Sequence, residues 1–278
     1  MTRPDTETTS EGRLAIIAGR GALPGLLVAA LPGPAPLVAA LDGFAPDGLT
    51  PDITFRVERL ALFLRHLEDC GVTRVVFAGA VQRPRLDPAL FDPATAQMVP
   101  QLLAAMQGGD DATLRGVIAI FEEAGFAVLG LADLAPGLLA DTGVLGARAP
   151  SAADLRDAAR GRAILDALAP VDVGQGCVVA EGLCLGIETI YGTDALLAFV
   201  ASHRADLAPA RGGVFTKRAK QGQDLRTDLP AIGPATIASA AAAGLGGLCL
   251  QAGRVIVIDR AEVLARADAA GLALWAEP

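Results

Sequence analysis

Aromatic residues are scarce, at 4% of 278 residues with one Trp and one Tyr, which argues against stacking platforms for single-stranded nucleic acid. Histidine is scarcer still. His66 and His203 each fall within a stretch that reads as helix, so a histidine-based zinc site is not expected. The four cysteines, Cys70, Cys177, Cys184 and Cys249, show no Cys-x-x-Cys spacing. Each sits in or beside an apolar run, and all are expected as buried thiols of a reducing compartment. No uninterrupted run reaches the roughly 18 apolar residues that span a bilayer. The polar start, Thr2 to Gly12, lacks the basic and apolar regions of a signal peptide, so residues 1–12 are expected to be a disordered tail. The chain is expected to be cytoplasmic, with association at the inner-membrane surface and formation of a homodimer both left open. No Gly-x-Ser-x-Gly occurs, which removes the usual support for a serine nucleophile.

Basic charge is also short. Net charge is −8 and the pI about 4.8, so a phosphate-backbone partner, and hence nucleic acid, is not expected. One local basic pocket for a small phosphate ligand remains compatible with that balance. What is abundant is apolar: 52% of residues are hydrophobic and 19% charged, a globular composition. The length favours two domains over one.

In the first half, Leu14–Gly19 is a continuous apolar run ending in glycine, which suits a buried parallel strand. The turn Gly19-Arg-Gly-Ala-Leu-Pro-Gly25 then enters an apolar helix and would aim N–H groups at an anion. The dinucleotide fingerprint Gly-x-Gly-x-x-Gly fails at its third glycine, where Pro24 stands. Further strands are expected at Leu37–Leu41, Ile53–Val57, Arg74–Gly79 and Phe126–Gly130, with helices at Leu60–Cys70 and from Asp110–Asp111 to Ala124. One of those two acids is expected to cap its helix. The exit Gly79–Pro84 brings Gln82 and Arg83 to the carboxyl edge of the sheet, where open α/β sheets bind ligands. Residues 13–133 therefore read as a Rossmann-like α/β domain.

Residues 134–150, rich in Gly and Pro, are expected to be a linker. Residues 151–278 read as a mixed α+β domain. Ser151 begins a helix to Leu168 with a capping box at Asp154. Cys177–Ala180 and Leu183–Ile187 flank Glu181-Gly182 as a hairpin, and a helix follows Gly192-Thr-Asp194 to Ser202. Val214-Phe215 leads into a charged loop holding Lys217, Arg218, Lys220, Asp224, Arg226 and Asp228, closed by a helix from Pro234 to Ala243. A second hairpin is expected to pair Leu248–Leu250 with Val255–Ile258, before a helix at Ala261–Ala270.

Three passages, Asp172-Val-Gly-Gln-Gly176, Glu188 through Gly192-Thr-Asp194, and Lys217 through Gln223-Asp-Leu-Arg-Thr-Asp-Leu-Pro-Ala-Ile-Gly-Pro234, carry a specific resemblance. With Ile17–Pro24 and Gly79–Pro84, they are similar to the LpxI-type UDP-2,3-diacylglucosamine pyrophosphatases. The resemblance implies hydrolysis of UDP-2,3-diacylglucosamine to UMP and 2,3-diacylglucosamine 1-phosphate (lipid X) in lipid A biosynthesis, with Mg²⁺ as cofactor. It implies two domains with the lipid-linked UDP-sugar between them. It marks Asp224 as the key catalytic position. The family usually has an acid just before Gly-Thr-Asp. This chain has Tyr191, which leaves Glu188 as the nearest carboxylate.

Pyrophosphate hydrolysis needs charge neutralised in the transition state and carboxylates to hold a metal or orient water. The expected assignments follow. Asp224 holds Mg²⁺ or orients the water, and Glu188 and Asp194 are second acids. Lys217, Lys220 and Arg226 bind the diphosphate; Asp228 is either a further acid of the site or only fixes Arg226 by an ion pair. Gln175, Thr193 and Gln223 are polar substrate contacts. Gly19, Gly21, Ala22 and Leu23, with Gly79, Gln82 and Arg83, meet the nucleotide or sugar. Two rivals remain: a nicotinamide-dependent oxidoreductase, and a non-catalytic binding protein for a lipid-linked phosphate or nucleotide.

Overall fold

The computed structural model describes residues 12–82, 85–106, 110–204, 212–220, 224–227 and 229–278. The expected tail, apart from Gly12, lies outside them. The chain divides into two compact units, one ending at Leu131 and the other running from Ala132 to Pro278.

In the first unit the chain runs β1 (Arg13–Ala18), α1 (Leu23–Ala30), β2 (Leu37–Leu41), β3 (Ile53–Phe55), α2 (Leu60–Asp69), β4 (Val72–Ala78), α3 (Pro93–Met106), α4 (Asp110–Glu123) and β5 (Ala127–Leu129). The strands form one sheet in the order β3-β2-β1-β4-β5, and every pairing is parallel. Each strand is short and almost wholly apolar, as strands covered on both faces must be. The order reverses beside β1, so the carboxyl ends of β1 and β4 bound the switch point of the sheet. The few aromatics are concentrated here. Phe55 stacks on Phe63 at 3.9 Å, while Phe77 meets Phe121 edge-on at 5.2 Å. Leu64, Leu67, Ile118 and Val75 fill the same core. Sequence reading did not anticipate α3, because Pro100 lies inside it and proline ordinarily ends a helix. The expected cap at Asp110 or Asp111 involves side chains outside the described ones.

The second unit continues with the short helix α5 (Leu131–Leu134), which spans the boundary. Then come β6 (Gly143–Val144), α6 (Ala152–Leu168), β7 (Gly176–Ala180), β8 (Leu183–Ile187), α7 (Gly192–His203), β9 (Val214–Lys217), β10 (Ala231–Ile232), α8 (Pro234–Ala242), β11 (Gly247–Gln251), β12 (Ile256–Val257), α9 (Arg260–Ala269) and β13 (Ala273–Glu277). A six-stranded mixed sheet runs β6-β13-β11-β9-β7-β8. Its centre, β13-β11-β9, is parallel; β6, β7 and β8 join antiparallel. Side chains alternate across the sheet, as period-two geometry requires. Val178, Phe215, Leu248 and Leu274 share a core with Leu197, Ile237 and Val263 of α7, α8 and α9. Val214, Cys249 and Trp275 pack on Ala158 of α6 on the other face. Ser151 caps α6 in a reciprocal capping box with Asp154, as its sequence suggested.

Three expectations are corrected. Residues 134–150 are not a free linker: Leu139 bridges Ile256, Leu139 and Ala140 are buried, and β6 pairs with β13. The second hairpin does not form. Both edges of β11 are already taken by β9 and β13, so β12 pairs instead with β10. The cysteines are not all buried, since Cys184 is exposed on edge strand β8 and Cys70 is partly exposed. The first hairpin, β7–β8, forms as read. Glu181 and Gly182 both take positive φ, 49° and 78°, the two-residue turn that matches strand twist. Their N–H groups donate to the carboxylate of buried Asp157, which ties the turn to α6.

Candidate active site

Lys217 ends β9, and its backbone partners are Gly176 on β7 and Leu250 on β11. A side chain at Gly176 would fill the space beside it: an added Cβ would lie 2.4 Å from Glu188 Oε2 and 2.6 Å from Phe215 Cε2. Glycine leaves that space to the Glu188 carboxylate. The Glu188 N–H donates to the Gly176 carbonyl at 2.8 Å. Gly174 completes the cradle with φ +57°, where a Cβ would stand 2.0 Å from the Glu188 carbonyl oxygen. The Gly-x-Gly at 174–176 is therefore explained by the acid it accommodates.

Into this cradle Lys217 Nζ donates to Glu188 Oε1 at 3.0 Å, to Oε2 at 2.8 Å and to Thr193 Oγ1 at 2.6 Å. The Thr193 hydroxyl donates in turn to Glu188 Oε2 at 3.2 Å. Lys217 is 4% exposed and Glu188 8%. An ammonium has three donors, and these three contacts account for them. Lys217 thus holds Glu188 and Thr193 in place, where sequence reading had it facing the diphosphate directly.

Asp224 and Arg226 form a second group. Arg226 Nη2 donates to Asp224 Oδ2 at 2.7 Å and Nε to Oδ1 at 3.0 Å, a bidentate fork, and the Arg226 N–H also reaches Oδ1 at 3.0 Å. The alternative of Asp228 fixing Arg226 involves a residue outside the described ones. The Thr227 hydroxyl oxygen is buried and has no hydrogen-bond partner among the described residues, a group that an incoming oxygen would satisfy. Lys220 donates to Asp172 Oδ1 at 2.7 Å, and the Arg218 N–H to the Gln175 carbonyl at 2.9 Å. Gly174, Gln175, Arg218, Ala219 and Lys220 line a shallow pocket against Leu165 of α6.

Asp194 does not join these groups. It lies exposed in the first turn of α7, where an acid favours the helix dipole. Among the described residues no group of three or more His, Cys, Asp or Glu side chains forms a metal site, so Asp224, Glu188 and Asp194 are not gathered into one. Both Glu188 oxygens are engaged by Lys217, and Arg226 binds both oxygens of Asp224. A ready-made carboxylate cage is thus absent among the described residues. Mg²⁺ in general accepts one carboxylate together with substrate oxygens and waters.

In the first unit the expected nucleotide turn is braced from within. Gly19 and Gly79 stand back to back at the ends of β1 and β4: a Cβ on Gly79 would lie 2.6 Å from the Gly19 carbonyl oxygen, and one on Gly19 as close to that of Ala80. Arg20 and Ala80 exchange backbone hydrogen bonds at 2.9 and 3.0 Å. The Arg20 guanidinium donates to the Gly43 carbonyl at 2.7 Å and covers the Phe44 ring at 4.8 Å. Gly21 has φ +93° with open space beside it. Ala22 is the N-cap of α1 and gives it no side-chain cap; Leu23 opens the helix and Pro24 occupies its first turn. Gln82 is exposed. Arg83 and Gln223 lie outside the described residues. Asp172, whose carboxylate holds Lys220, and Thr227 lie in two of the passages that carry the resemblance, but neither residue has a role assigned from the sequence.

Comparison with known families decides between the readings left open. Residues 13–138 match the LpxI N-terminal domain, and residues 141–275 match the LpxI C-terminal domain. The chain belongs to the LpxI family. It is 37% identical over 267 residues to the UDP-2,3-diacylglucosamine pyrophosphatase LpxI of Caulobacter vibrioides, covering 94% of this chain and 95% of that protein. An LpxI membership removes the ground for the oxidoreductase reading, which Pro24 had already undercut. No described helix is long and apolar enough to cross a membrane.

Proposed function

We propose that this LpxI chain hydrolyses the pyrophosphate bond of UDP-2,3-diacylglucosamine, releasing UMP and 2,3-diacylglucosamine 1-phosphate for lipid A biosynthesis. The observation that carries the reading is the end-to-end match to both LpxI domains and to a relative of that activity. In the reaction, water forms one P–O bond as the bridging P–O bond breaks, and the water proton leaves with an acceptor.

Asp224 is the proposed acid at the reacting centre: it orients water or holds the cation, and releases the Arg226 fork when substrate arrives. Arg226 and Lys220 would then meet the diphosphate oxygens, since the Lys220–Asp172 pair is partly exposed and exchanges at little cost. The Thr227 hydroxyl gains an acceptor in the same step. Lys217 is a positioning residue that keeps Glu188 and Thr193 fixed beside the loop. Neutralised charge on the diphosphate is what Mg²⁺ supplies when bound, with Asp224 as the residue to hold it. The first unit is read as Rossmann-like from its 3-2-1-4-5 strand order, with the Gly19–Leu23 turn and the Gly79–Gln82 exit meeting nucleotide or sugar.

Product analysis tests the reading. Phosphorus NMR of the full chain with substrate and Mg²⁺ should show UMP and the sugar 1-phosphate in equal amounts. UDP as the nucleotide product, or tight binding with no product, would move the chain to glycosyl-bond cleavage or to the binding-protein class.

A further inference from the structure

At the site end of the second sheet, two loops carry large apolar side chains into solvent. Ile190 is 89% exposed and Tyr191 82%, on the segment between β8 and α7. Val171 is 65% exposed and Val173 37%, on the segment between α6 and β7. The strand register brings these segments to one edge: Cys177 pairs with Ile187, and Gly176 with Lys217. The loops are also fastened together, since the missing side chain of Gly174 admits the Glu188 carbonyl oxygen. Glu188 is pinned by Lys217 on one side of the 189–191 turn, and the Gly192 N–H closes it by donating to the Thr189 carbonyl at 2.9 Å. Lys220 Nζ also donates to Asp172 on the other loop.

Exposed large apolar residues are common singly, but here four lie on two loops that meet at Gly174 and Glu188. We propose that Val171, Val173, Ile190 and Tyr191 form a shelf that inserts into the surface of a lipid bilayer and sets the site at the membrane. The proposal rests on the reading of a diacylated substrate, whose acyl chains reside in a bilayer. The near-complete exposure of Ile190 and Tyr191 marks a projecting tip, whereas a bound acyl chain needs walls around it. Tyrosine at the tip suits the interface, with its ring among acyl chains and its hydroxyl in water. The chain carries net charge −8, so anionic lipid is not the attraction. Insertion should be as strong in neutral phosphatidylcholine as in vesicles containing phosphatidylglycerol, and should survive high salt.

The test is co-sedimentation of the full chain with phosphatidylcholine vesicles, for the wild type and for Ile190→Ser with Tyr191→Ser. At least a tenfold loss of partition in the double variant is expected. A Tyr191→Trp chain should shift its emission to the blue on mixing with vesicles, against a constant background from Trp275, which is 3% exposed. Neither arm needs turnover, so both stand apart from the hydrolase reading. Where turnover is present, UMP release should fall with substrate in vesicles and hold with substrate in detergent micelles. Equal partition of the two chains, or no partition by the wild type, overturns the proposal. So does an equal loss in vesicles and micelles, which would make the shelf part of the substrate site. A wild-type dimer that the variant reduces to a monomer, with vesicle partition unchanged, would make it a protein interface.

Discussion

The Lys217 ammonium and the Glu188 carboxylate meet at 2.8 Å and 3.0 Å inside a cradle that two glycines leave open. Both charges are removed from water, so each depends on the other. The pair fixes the start of the 189–191 turn and, through Thr193, the first turn of α7.

Lys217→Met alone leaves a buried carboxylate unpaired, and should cost on the order of 3–5 kcal/mol of stability. Adding Glu188→Gln should restore part of that loss. Chemical denaturation of both single variants and the double variant checks this coupling. Equal, additive losses would mean that the pair is not interdependent.

Gly176→Ala places a methyl 2.4 Å from Glu188 Oε2 and 2.6 Å from the Phe215 ring. Both neighbours are buried, so relief requires moving either the acid or the core. A loss of roughly 1–3 kcal/mol is expected. Activity should fall further than stability explains, because Glu188 leaves Lys217. Gly182→Ala has open space around its Cβ and serves as the comparison, although its φ of +78° carries its own strain.

Glu58 is buried within the single 3-10 turn, Val57–Arg59, that leads into α2. Burial raises its pKa, but the Asp87 N–H at 2.9 Å and the Arg56 guanidinium outweigh that and leave it below the ordinary 4.5. A lowered carboxyl contributes stability in full above its unfolded value, and the contribution disappears as pH falls through the folded one. Glu58→Gln should therefore melt below the wild type near neutral pH, and the gap should close in acid below 4.5. Thermal melts across that range decide it, and a gap constant with pH would contradict the assignment.

The four thiols should separate by reactivity. Burial pushes the Cys249 thiol up to about 12, and burial with the neighbouring Cys184 sulfur at 3.8 Å also raises Cys177. In the folded chain near pH 8, alkylation should label Cys184 readily and Cys70 more slowly, leaving Cys177 and Cys249 until denaturant is added. Peptide mapping by mass spectrometry reads the order.

Local patterns in this sequence carried local structure well. The apolar run before Gly19, the Ser151 capping box and the Glu181-Gly182 turn each determine their own element, and each formed. Pairing at a distance was less legible. Leu248–Leu250 and Val255–Ile258 look like a hairpin locally, yet the partners of β11 come from Val214–Lys217 and from β13 at the chain end. The charged loop carried the family resemblance by its wording. The number of donors on Lys217 already in use, by contrast, depends on a glycine cradle 41 to 43 positions upstream, and no periodicity reports such a contact.

The most direct measurement is UMP release from UDP-2,3-diacylglucosamine by the wild-type chain and by Asp224→Ala, each with and without Mg²⁺. The account predicts Mg²⁺-dependent UMP and sugar 1-phosphate from the wild type and a loss of at least a hundredfold in the variant, in line with removing a group that acts on the reacting atoms. A variant that turns over at the wild-type rate would contradict the role given to Asp224, and a wild type that binds substrate yet releases no UMP would contradict the hydrolase itself.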